Sequence, residues 1–60
     1  MLVIELEKGV FLNWEKRLEK TTTLLPEAGE YSSLEEAQAK VDEINAEVED
    51  EEYCRVKSID

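Results

Sequence analysis

The chain has no histidine and so lacks the side chain that most often serves as a general base near neutral pH. Its one cysteine, Cys54, excludes an intrachain disulfide and, with histidine missing, leaves no ligand set for zinc. Gly9 and Gly29 stand apart, so no glycine-rich loop is present to cradle a phosphate. No apolar run approaches the roughly 18 residues of a spanning helix. The N-terminus shows no basic region followed by an apolar stretch of the kind that directs secretion. Bases are scarce, 7 against 16 acids, which argues against a surface for nucleic acid or anionic lipid. A lone thiol without an export signal fits a reducing cytoplasm, and nothing calls for a cofactor.

What is present is short and acidic. Sixty residues make a single domain, 1–60, near the lower limit for folding alone. A chain of this size hides only about 60% of the surface its unfolded form exposes. Natural domains so small lean on disulfides, metals or self-association. With the first two set aside, a homodimer is expected. The net charge of −9 is also unevenly spread. Glu27 to Glu52 holds eleven acids and one base, Lys40, while the rest of the chain holds five acids and six bases. The molecule therefore has one strongly negative region, which favours some partners and repels others.

Leu2 to Glu7 reads as a strand with Leu2, Ile4 and Leu6 on one face. Lys8-Gly9 then reads as a two-residue hairpin loop, Gly9 supplying positive φ. In that register Leu6 faces Phe11 and Glu5 faces Leu12, so Phe11 joins the inner face. Val3, Val10, Leu12 and Trp14 fall on the opposite face, which is too apolar for open water. Either a bulge, a longer loop or a covering segment hides it, or Val10, Leu12 and Trp14 form an association surface anchored by the tryptophan.

Glu15 to Lys20 is charged and reads as a loop or a helical turn. Lys20 to Leu25 is a third β-prone run ended by Pro26, and Pro26 to Gly29 is a turn or a single helical turn. The strongest periodicity follows. Ser33 is a good N-cap, and Glu36 three residues on completes a capping box. Leu34, Ala37, Val41, Ile44 and Val48 then recur as one helical stripe, and Lys40 is placed to pair with Glu36. In the tail, Cys54 and Val56 alternate with Arg55 and Lys57 as a last strand. The order β-β-(β)-α-β predicts an α+β domain, a small antiparallel sheet of three to four strands with one amphipathic helix packed on one face.

Chemistry is argued against residue by residue. Cys54 has Arg55 beside it, but strand neighbours point to opposite faces, so the thiol reads as a small buried hydrophobe. Glu49 to Glu52 lacks the alternating acids and central glycine of an EF-hand loop, so no dedicated metal site is expected. Ser32 and Ser33 are accounted for by helix capping. The chain reads as a non-enzymatic protein-interaction module that self-associates.

Glu35, Asp42, Glu43, Glu47, Glu49, Asp50, Glu51 and Glu52 present carboxylates along one edge. The bland account of them is a solvated face that keeps a small protein soluble. The sharper one is a docking surface for a basic protein, imitating a phosphate backbone. In size and charge alone, and in no motif, the chain resembles phage-encoded anti-restriction and anti-CRISPR proteins. That likeness implies an acidic inhibitor of a nucleic-acid-binding protein.

Overall fold

In the computed structural model, which describes residues 1–59, Leu2–Glu5 forms strand β1, Phe11–Leu12 β2, Thr21–Thr22 β3 and Arg55–Ser58 β4. Leu34–Val48 forms the helix α1, and Leu25–Glu27 a single 3-10 turn led by Pro26. The sheet is antiparallel in the order β3-β2-β1-β4, so β1 is central although it comes first in the chain.

The hairpin differs from the sequence expectation by one residue. Val10 N–H donates to the Glu7 carbonyl at 2.8 Å and Leu6 N–H to the Val10 carbonyl at 2.8 Å. Glu7, Lys8 and Gly9 thus form a three-residue connection, with Gly9 at φ +83°, the angle that the third position of a type II turn demands. The extra residue places Phe11, rather than Leu12, opposite Glu5. Because side chains alternate, one step of register exchanges the two faces. Leu12 moves to the helix side with Ile4 and Leu6, and Phe11 to the far side with Val3.

The helix side holds the main core. Ile4, Leu6, Leu12, Val41, Ile44 and Cys54 pack together, bordered by Leu18, Tyr31 and Val56. Of the five residues in the helical stripe, Ala37, Val41 and Ile44 are buried and Val48 is half-buried. Leu34, in the first turn, is 60% exposed. Ser33 caps the helix by accepting from Glu36 N–H at 3.2 Å. The Glu36 carboxylate accepts from the Ser32 hydroxyl at 2.9 Å, and Lys40 pairs with Glu43 rather than Glu36.

The far face is covered by the segment after the 3-10 turn. β1 and β2 pair at Glu5 and Phe11 and then diverge, and residues 28–31 enter the gap. Gly29 N–H donates to the Leu12 carbonyl at 3.0 Å, and Tyr31 N–H to the Leu2 carbonyl at 2.8 Å. A Cβ on Gly29 would lie 2.6 Å from the Asn13 carbonyl oxygen, so this close approach requires glycine. Ala28, carried on the inserted segment, packs with Val3 and Phe11 against Ile59. The covering segment and the longer loop together resolve the apolar second face.

Candidate functional site

The acidic residues are placed by α1 and by the turn that follows it. Glu35, Asp42, Glu43, Glu47, Glu49, Asp50, Glu51 and Glu52 are all exposed. On the helix the doublets Glu35–Glu36 and Asp42–Glu43 are two turns apart, about 10 Å at 1.5 Å per residue. Glu49–Asp50 continues the seven-residue interval past the helix end. Lys40, 3.5 Å from Glu43, is the base paired with this array among the described residues.

The turn is held rigidly for so charged a segment. Glu49 closes the helix in the left-handed region at φ 58°, donating to the Ala46 and Asn45 carbonyls. That region is costly for a residue with a Cβ. The cost is offset by Asn45, a residue that sequence periodicity did not single out. Its amide Nδ2 donates to the Glu51 carbonyl at 2.9 Å, and its Oδ1 accepts from Cys54 N–H at 3.0 Å. One side chain therefore fastens both ends of the 51–54 segment to the helix. The only sequence cue was a polar residue bordering the apolar stripe.

Cys54 is buried at the end of this clamp. Its thiol lies 3.3 Å from Asn45 Oδ1, and burial pushes its pKa up while Arg55 pulls the other way. The protonated thiol is a poor nucleophile. Glu5 is the charged group nearest a built polar site. It is 7% exposed and takes Arg55 Nη1 at 3.1 Å and Lys57 Nζ at 3.7 Å. Gly9 N–H also donates to Glu5 at 3.3 Å, and this bond, with Lys57 and Arg55, holds the carboxyl below its usual range despite burial. The cluster closes the hairpin onto β4; all of its charges are already engaged with one another.

The apolar trio does not assemble. Leu12 is fully buried in the helix-side core, and Val10 is half-buried beside Leu6 and Tyr53. Trp14, in the turn after β2, is 68% exposed. Leu12 is thus corrected from surface to core by the register shift. Among the described residues no group of three or more Cys, Asp and Glu side chains is disposed to hold a metal ion. No helix there is long and apolar enough to cross a membrane. Comparison with protein-family models, curated proteins and solved structures gives no match.

Proposed function

We propose that this protein is a non-enzymatic interaction module that docks a basic protein on the acidic face of α1 and the turn at 49–52. The observation that carries the reading is the regular placement of exposed acid doublets on a helix capped at both ends. Two charges per 10 Å of helix is about one per 5 Å, against about one per 3.4 Å along a DNA strand. The narrower form of the reading is therefore an acidic mimic of nucleic acid that occupies the basic cleft of a nucleic-acid-binding protein in the cytoplasm. The same face repels other copies of the chain.

The test is capture from lysate at low salt, followed by titration of the isolated partner. Affinity falls steeply as the Debye length shrinks from about 10 Å at 0.1 M salt to about 3 Å at 1 M. The Asp42→Lys, Glu43→Lys, Glu47→Lys triple variant loses the partner while keeping its circular dichroism. Affinity that is constant across the salt range overturns the reading.

A second reading, self-association, is favoured by Trp14 at 68% exposure with Leu24 at 56%. It requires a homodimer in light scattering that Trp14→Ala weakens. A monomer at high micromolar concentration removes it.

A further inference from the structure

The sheet ends at β4, beyond which no strand lies among the described residues. Ile59 N–H donates to the Met1 carbonyl at 2.8 Å, in register with the β1–β4 ladder. The antiparallel alternation then turns the peptide groups of Arg55 and Lys57 toward β1 and those of Val56 outward, off the edge. Alongside this edge runs α1. A groove of about 620 Å³ separates helix and strand, with Leu2, Val41 and Val56 on its apolar side and Leu34, Asp42 and Glu51 along its rim.

We propose that this groove takes an extended segment of a partner protein as an added strand alongside β4. The inference rests on the acidic-docking reading and specifies how the partner is held. Main-chain bonds to a sheet edge supply affinity, and side-chain contacts on alternate positions supply selection. Charge and spacing define the segment. Leu34 and Asp42 are eight residues apart on the helix, about 12 Å at 1.5 Å per residue. Four residues of strand cover about 13 Å. The helix-facing side of the segment thus carries an aliphatic residue against Leu34 and, four positions away, a Lys or Arg against Asp42 and Glu51. Arg55 and Lys57 lie on the other face of β4, where they favour acids at the intervening positions.

A second copy is the wrong occupant. Antiparallel pairing of two β4 strands sets Arg55 and Lys57 of both copies side by side on one face, and like charges across strands are destabilising.

The probe is a decapeptide of threonines with Leu at its third position, Arg at its seventh, and Glu at its fourth and sixth. The control exchanges the sixth and seventh residues, which moves the Arg to the opposite face. The first peptide is expected to bind about tenfold more tightly than the control in calorimetry. It should also slow hydrogen exchange at the Val56 amide. The double variant Asp42→Lys, Glu51→Lys, at two exposed positions, should lose this binding and regain it for a peptide with Glu in place of Arg. Equal binding of the two peptides, no binding, or unchanged exchange at Val56 overturns the groove. Poly-lysine in the same assay reads the acidic face separately. If poly-lysine binds, and Glu35→Lys with Glu47→Lys weakens it, while the peptide fails, the groove is refuted and the docking reading stands. If both probes fail, both are refuted.

Discussion

The Tyr31 hydroxyl is buried with no hydrogen-bond partner, while Lys16 Nζ sits 4.3 Å from the centroid of its ring. A buried hydroxyl without a partner is destabilising, by about 1–3 kcal/mol. Tyr31→Phe keeps the ring and removes the orphan atom, so urea denaturation should show equal or greater stability, by up to about 1 kcal/mol. Burial, reinforced by Cys54 and Glu43, pushes the phenol from 10.0 up to about 12. The folded state then holds the proton more tightly than the unfolded one. That contribution is complete below pH 10 and lost as pH rises toward 12, so Tyr31→Phe should flatten the alkaline limb of a stability–pH profile. Glu5 works in the opposite sense. Its carboxyl is held below 4.5, so its contribution is present above that pH and lost as pH falls through the lower folded value. Glu5→Gln should lower stability by about 1–3 kcal/mol at neutral pH, with the gap from the parent closing in acid.

At the scale of elements, one side chain distinguishes the observed hairpin from the expected one. Leu12→Ala empties a fully buried position and should cost about 2–5 kcal/mol in chemical denaturation, whereas Trp14→Ala should change stability by no more than about 0.5. A two-residue loop would have made Leu12 the milder loss. The helix was legible because its stripe, cap and acidic first turn agree with one another. The alternation of Cys54 and Val56 with Arg55 and Lys57 was legible for the same reason. The register was not, since Lys8-Gly9 suits a two-residue loop and a three-residue loop alike. The insertion of residues 28–31 between β1 and β2 was also hidden, because bonds from Gly29 to Leu12 and from Tyr31 to Leu2 are long-range main-chain contacts without a side-chain signature. Lys20 to Leu25 was read as a strand from its β-prone run, but only Thr21–Thr22 pairs, and Leu24 and Leu25 remain exposed. On the candidate site, exposure of the acids was legible from the stripe they avoid, and the Asn45 clamp was not.

For the molecule as a whole, charge outweighs every other surface property. A net −9 concentrated on the helix and the following turn opposes the compact state by self-repulsion. The Glu5 cluster is sheltered from screening, and the exposed carboxylates are not. Added salt should therefore raise the melting temperature between about 0.01 M and 1 M, as the Debye length contracts from about 30 Å to 3 Å. A falling or flat melting temperature in calorimetry would show that attractive pairs outweigh the repulsion.

The central place of β1 also has a kinetic side. Its edges are closed by residues 28–31 on one flank and by Arg55–Ser58 on the other, so the strand made earliest waits for the one made last. During synthesis Val3 and Ile4 stay wet until Arg55–Ser58 has emerged from the ribosome. Assembly of this sheet is then limited by closure of a near full-length loop, a slow step for so short a polypeptide.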